Sequence, residues 1–254
     1  GETISSSFGV TDPSGNHWVG TSSSSGTQQS GWNIRTYAQD QFVGNDRTRY
    51  PETPNAKTNF VDGLAFKNQM VAAVGFSFSS GTGSSGIARI SYDDGQTWNA
   101  LNEYSCGLGQ LTNYTSAGFS DAVTIFISGF CVDLTGTSRW FVRRGIFDPS
   151  EMQWFWSNSD QLVGRDGVNN FATQVLISKT GEVLVSGYVR NERGSTVLIR
   201  ATTDRGRTWR TIANPMSTPD ALSVHSFTQD SSGRMYMITS TGPADQNAAN
   251  LLVS

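Results

Sequence analysis

Three carboxylates stand where an apolar, strand-like run is about to begin: Val61-Asp62-Gly63, Arg165-Asp166-Gly167 and Pro219-Asp220-Ala221. A fourth approach of the same kind, Asn113-Tyr114-Thr115, carries a tyrosine where the others carry the acid. Asp62, Asp166 and Asp220 therefore recur at corresponding places and are expected to converge. Two carboxyls at a set separation can act as general acid and base on a glycosidic bond, which makes these three the catalytic candidates. The same acids can instead bind a cation or cap turns, since Asp-Gly is a favoured turn pair. Tyr114, Arg165, Asn169, Asn170 and His225 are expected to lie close to them in space and are the expected ligand-binding residues.

Other chemistries find little in the chain. His17 and His225 are its two histidines, and no Cys/His spacing suits zinc, so neither metal nor cofactor is expected. Gly81-Thr82-Gly83-Ser84-Ser85-Gly86 links two strand-like runs instead of opening a helix, so it reads as a hairpin loop and not a phosphate cradle. Nothing resembling Gly-x-Ser-x-Gly marks a nucleophilic serine.

The elements that must position these residues form a repeat. Ser91-Tyr92-Asp93-Asp94-Gly95-Gln96-Thr97-Trp98 and Thr202-Thr203-Asp204-Arg205-Gly206-Arg207-Thr208-Trp209 share the pattern [ST]-x-D-x-G-x-T-W, each after an apolar run. The carboxylate can accept N–H groups across the turn, and glycine supplies a left-handed position that a Cβ disfavours. The tryptophan then offers a large apolar face to a neighbouring sheet. A worn copy around Asp148 ends at Trp154, so the aspartates recur about every 55 residues. Val10-Thr11-Asp12-Pro13-Ser14-Gly15-Asn16-His17-Trp18 reads as a fourth copy, set apart by a longer step. Two further strand-like runs precede each turn, for example Gly63–Phe66 with Met70–Gly75, and Gln174–Ile177 with Val183–Tyr188. Four short strands per unit of this length is the pattern of a propeller blade.

The octapeptide resembles the Asp-box, or BNR, repeat of sialidase-like β-propellers, and the likeness runs along most of the chain. It implies an all-β propeller of four-stranded antiparallel blades, about five of them or part of a larger ring. It also implies that Asp93, Gly95, Trp98, Asp204, Gly206 and Trp209 are structural, on outer hairpins away from a ligand face around the axis. Strands near Val10–Val19 are expected to complete the last blade and close the ring, and the Ser/Gly-rich stretch 20–59 is expected to be an insertion within a single domain 1–254. Sialidases of this family carry an arginine triad, a Tyr–Glu pair, an acid–base Asp and an Arg-Ile-Pro stretch. Here the nearest match to the last is Arg49-Tyr50-Pro51. Arg143, Arg144, Arg165, Arg190 and Arg200 are available for a triad, although Arg200 aligns with Arg89 as a repeat residue.

Composition narrows the class. With 254 residues and 36% hydrophobic content the chain can bury a full core, while a net charge of −3 makes no case for nucleic acid or an anionic membrane. No apolar run approaches the length needed to span a bilayer. Lysine occurs at 57, 67 and 179 alone amid abundant Ser, Thr, Asn, Gln and Gly, a surface common in extracellular and virion-surface proteins. Cys106 and Cys131 either pair in an oxidising compartment or remain buried thiols. The leading expectation is a propeller that binds a glycan or cell-surface receptor, with Trp32, Trp140, Trp156 and Tyr114 as its aromatic supply; a virion tail or adhesion component would fit, and an oligomer is compatible. The alternatives are a sialidase-type glycoside hydrolase and a structural subunit of an assembly.

Overall fold

In the computed structural model every regular element is a β-strand. It describes residues 3–12, 14–25, 28–38, 41–46, 56–79, 83–107, 110–163, 168–213, 216–220, 222–242 and 248–253. Two compact units divide the chain, residues 1–117 and 118–254.

The first unit opens with a four-stranded sheet in sequential order: β1 (Thr3–Thr11), β2 (His17–Ser25), β3 (Gln28–Ala38) and β4 (Gln41–Asp46). A second follows: β5 (Ala56–Lys67), β6 (Met70–Ser79), β7 (Gly83–Ser91) and β8 (Asn99–Tyr104). These two sheets correct two expectations. The N-terminal strands pair with β3 and β4, not with the last strands of the chain, and most of the stretch expected as an insertion over 20–59 is strand. Serine- and glycine-rich strands hide from a reading based on apolar alternation.

The third sheet comprises β9 (Leu111–Asp121), β10 (Thr124–Val132), β11 (Ser138–Asp148) and β12 (Gln153–Leu162), and the unit boundary falls inside β9. The second unit continues with β13 (Asn169–Ile177), β14 (Val183–Asn191), β15 (Gly194–Thr202) and β16 (Arg210–Ala213), with β17 (Ser217–Thr218) also on β15. Its last sheet has three strands, β18 (Leu222–Gln229), β19 (Met235–Thr241) and β20 (Ala248–Val253).

Burial follows position within each sheet. The second strands β6, β10 and β14 are the most buried: Ile125, Phe126 and Ile127 on β10 are all at 0% exposure. Each such side chain is worth roughly 1.5–3 kcal/mol on burial. The fourth strands, β8, β12 and β16, are largely exposed. In the first unit Trp18, Trp32, Ile34, Val61 and Ile87 form the core between the two sheets. In the second, Phe126, Trp140, Val142, Val175 and Val185 fill one intersheet space, and Leu184, Val197, Leu222 and Phe227 the next.

The octapeptide turns join third strands to fourth strands. The Asp93 carboxylate accepts the Thr97 N–H at 2.8 Å and its hydroxyl at 2.7 Å; Asp204 does the same to Thr208 at 2.9 and 2.6 Å. Those bonds, led by the threonine hydroxyl, hold the Asp93 carboxyl down at about 2 and push Asp204 lower still. Both turns run through two consecutive left-handed residues, Asp94–Gly95 and Arg205–Gly206. The glycines are needed for contact as well: a Cβ at Gly95 would come within 2.7 Å of the Trp18 ring, and one at Gly206 within 2.3 Å of Ser159 Oγ. Each turn thus locks its own sheet onto the sheet before it. Arg144 reinforces the second lock by donating to the Arg205 carbonyl at 2.8 Å, and Trp209 Nε1 donates to Ser159 Oγ at 3.0 Å.

The Asp12 turn is a different object. It joins β1 to β2, the Asp12 N–H donates to Asn16 O, and the Gly15 N–H donates to Asp12 O. The same bond pair, with a left-handed glycine three residues on, recurs at Asp133, Ser178 and Asp230. These are three-residue hairpins ending in a glycine bulge. Asp12 therefore belongs to that set, which accounts for its longer step from Asp93. The Asp148 turn keeps its place between β11 and β12, with Ser150 N–H and Oγ donating to the carboxylate at 2.8 and 2.6 Å.

Candidate functional site

A single irregularity recurs on the first strand of four sheets. Register shifts between Ile4/Ser6, Val61/Gly63, Ala172/Gln174 and Val224/Ser226 leave Ser5, Asp62, Thr173 and His225 as the extra residues of β-bulges. A bulge turns its extra side chain out of the pleat and breaks the ladder locally. The freed backbone is repaired from the neighbouring sheet of the same unit: Val61 N–H donates to Ser22 Oγ at 3.0 Å, and Phe227 N–H to Gln174 Oε1 at 2.6 Å. In two sheets a glycine faces the bulge across the ladder. A Cβ on Gly75 would lie 1.9 Å from the Phe60 carbonyl oxygen, and on Gly187 2.0 Å from that of Phe171, so no other residue fits.

Beside each of these glycines sits a stacked aromatic pair. Phe60 on β5 stacks on Phe76 of β6 at 4.7 Å and 22°, and Phe171 on β13 stacks on Tyr188 of β14 at 4.8 Å and 26°. In the second unit Phe130 of β10 packs edge-on to Phe171 at 5.0 Å, so the row crosses two sheets. Tyr188 then reaches a third sheet by hydrogen bonding Ser223, with the Arg190 charge beside it; burial raises its hydroxyl above the ordinary range. All four rings of the two pairs, and Phe130, are half-buried. Arg190 is exposed and forms no ion pair among the described residues.

The expected site residues divide sharply. Asp62 lies within β5 as the bulged residue itself; it is exposed, yet the surrounding protein desolvates its carboxyl and pushes it up to about 7. Asp220 does not correspond to it. It lies in the exposed segment before β18, and His225 occupies the position equivalent to Asp62. The two acids also belong to different units. Arg165, Asp166 and the Arg49-Tyr50-Pro51 stretch lie outside the described residues.

Tyr114 is not a surface ligand contact. At 0% exposure it packs flat on Gly86, whose added Cβ would come within 2.9 Å of the ring, and its hydroxyl donates to Asn102 Oδ1. Trp32 and Trp140, at 0% exposure, are core as well, because each fills intersheet space. Asn170 is 4% exposed, and the Asn169 side-chain oxygen accepts the Ser138 N–H at 2.7 Å, which ties β13 to β11. His225 is exposed and its Nε2 hydrogen bonds Ser240 Oγ at 2.7 Å. Trp156, on β12, carries the Arg143 guanidinium 5.8 Å above its ring.

The arginines at the position of Arg89 serve structure. Arg200 grips the buried Asp160 carboxylate through two nitrogens at 2.6 and 2.8 Å, Arg89 donates to the Trp98 carbonyl, and Arg144 clamps the Arg205 turn. Neither cysteine is free: Cys106 and Cys131 are both disulfide-bonded. The stacked pairs escaped the sequence reading. Their signal is a glycine followed by an aromatic on the second strand, Gly75-Phe76, Gly129-Phe130 and Gly187-Tyr188.

No protein-family model and no curated protein matches the sequence. Solved structures do match in fold. A Hadza microbial sialidase aligns over 98% of this chain and 55% of its own, with TM-score 0.58 and 13% identity. Trypanosoma rangeli sialidase in complex with the inhibitor DANA aligns over 100% of this chain and 47% of its own, with TM-score 0.60 and 10% identity. An ulvan lyase from a new family of polysaccharide lyases reaches TM-score 0.66 at 8% identity, over 96% of this chain and 63% of its own. The chain thus spans about half the length of the two sialidases and less than two thirds of the lyase. At such identities the likeness concerns backbone architecture, and the architecture is an all-β propeller of antiparallel blades.

Proposed function

We propose that this chain is a glycan-binding β-propeller and that its octapeptide turns are the Asp-boxes of a sialidase-like scaffold. One observation carries the reading: a stacked, half-buried aromatic pair stands beside a bulged strand in both units, Phe60–Phe76 and Phe171–Tyr188. Sugar rings present apolar C–H faces bordered by hydroxyls, so they bind where an aromatic surface adjoins a few fixed polar groups. In the second unit the Tyr188 hydroxyl, Ser223 and the exposed Arg190 supply those groups around the Phe130–Phe171–Tyr188 row. The solved glycan-acting propellers lend the fold-level analogy, which by itself decides no chemistry.

The disulfide-bonded cysteines favour an oxidising location, outside the cell or on a virion surface, where glycan receptors are met. Glycoside hydrolysis is the weaker reading, because it requires a second carboxyl at a set distance and Asp220 does not share the setting of Asp62.

A glycan array probed with the labelled protein tests the proposal. Hits are expected, and Tyr188→Ala should weaken them by at least tenfold, about 1.4 kcal/mol, with the circular dichroism unchanged. A blank array beside a working lectin control would remove the reading, as would hits insensitive to both Tyr188→Ala and Phe76→Ala.

A further inference from the structure

Asp62 differs from the bulged residues Thr173 and His225 in having no side-chain partner among the described residues. Thr173 Oγ1 donates to the Ser186 carbonyl at 3.1 Å, and His225 Nε2 meets Ser240 Oγ at 2.7 Å. Asp62 makes no hydrogen bond or ion pair among the described residues, and its backbone is fixed on both sides. Val61 N–H is held by Ser22, while Gly63 is pressed so close to β9 that an added Cβ would stand 3.1 Å from Ser116 Cα. Two residues back along β5, Phe60 begins the stacked pair with Phe76. The side chain is thus rigidly based, exposed and without a partner among the described residues, on the strand that carries one ring of a stacked aromatic pair.

We propose that Asp62 is a glycan-contacting residue that acts as a neutral acid, donating its carboxyl proton in a hydrogen bond to a sugar oxygen. This rests on the glycan-binding reading and deepens it for the first unit. The ionised form offers only acceptors and loses that bond, so binding is gated by pH. Burial alone moves the carboxyl to about 7, which places the gate near neutrality. Titratable groups on the strands that approach β5 are His17 on β2, Arg35 and Tyr37 on β3, and Tyr114 and Asp121 on β9, with Lys57 and Lys67 on β5 itself; desolvation is the cause of the displacement. Among the described residues no charged partner holds Asp62 ionised, and a carboxyl kept in such a place without one opposes folding. Groups of that kind gather where function needs them.

The test is affinity electrophoresis of the intact chain at pH 6 and pH 8, in gels cast with dextran, polygalacturonate or heparin. Wild type, Asp62→Asn and Asp62→Ala are run side by side, each checked for folding by circular dichroism. If only the protonated form binds well, wild-type affinity falls about tenfold between the two pH values, following the fraction of neutral carboxyl. Asp62→Asn keeps an N–H donor and should bind with little pH dependence, while Asp62→Ala should bind weakly at both. Matching pH profiles for wild type and Asp62→Asn would overturn the inference and leave the glycan reading standing. Wild type unretained by all three polymers at both pH values would overturn the two together.

Discussion

At the residue scale, desolvation without a partner separates Asp62 from the half-buried carboxylates of the octapeptide turns, which are heavily hydrogen-bonded. The two kinds have opposite consequences for stability. The folded Asp62 carboxyl is raised from its ordinary 3.8 to about 7, so its contribution is full below about pH 4 and is lost as pH rises through 7. Asp62→Asn should therefore unfold at a higher temperature than wild type at pH 8, and the two melting curves should merge below pH 4. For Asp93, held at about 2, the sign reverses: its stabilisation is present above 3.8 and disappears as pH falls toward 2, so Asp93→Asn should be the less stable protein at pH 7 and the gap should close in acid. Tyr114→Phe tests the corrected placement of that tyrosine. Loss of its bond to Asn102 should cost about 1 kcal/mol in urea denaturation and leave glycan binding untouched.

At the scale of elements, the octapeptides were legible because their chemistry is local. Asp, Gly and Thr at fixed offsets satisfy one another within a single turn, so the pattern survives in sequence. Gly95→Ala and Gly206→Ala should each lower stability by about 2–4 kcal/mol, since both positions are left-handed and both press on the preceding sheet. A reduced urea midpoint with unchanged slope is the expected signature. The bulges were not legible. Whether a strand gains one residue depends on what faces it across the ladder, and Gly75 and Gly187 sit 13 and 14 positions away in the chain from the bulged Asp62 and Thr173. The Asp12 turn misled for the opposite reason: it satisfies its own bonds in a hairpin between first and second strands, and its tryptophan, Trp18, donates to the Asp12 carboxylate.

At the scale of the whole molecule, the repeat announced sheets of four strands in sequence, and four of the five sheets run in that sequential order. The N-terminal sheet was missed because serine-rich strands show no apolar alternation, although β2 and β3 still bury Trp18, Trp32 and Ile34. Disulfide reduction should lower stability by about 2–4 kcal/mol, read as a drop in Tm on adding a thiol reductant. The recurrent bulge has a wider consequence. Serine, aspartate, threonine and histidine all occupy it, so the backbone accepts neutral and ionisable polar side chains there, with a glycine across the ladder in two of the sheets. The scaffold separates what must stay constant from what can vary, and a new specificity can be introduced by exchanging one side chain per sheet.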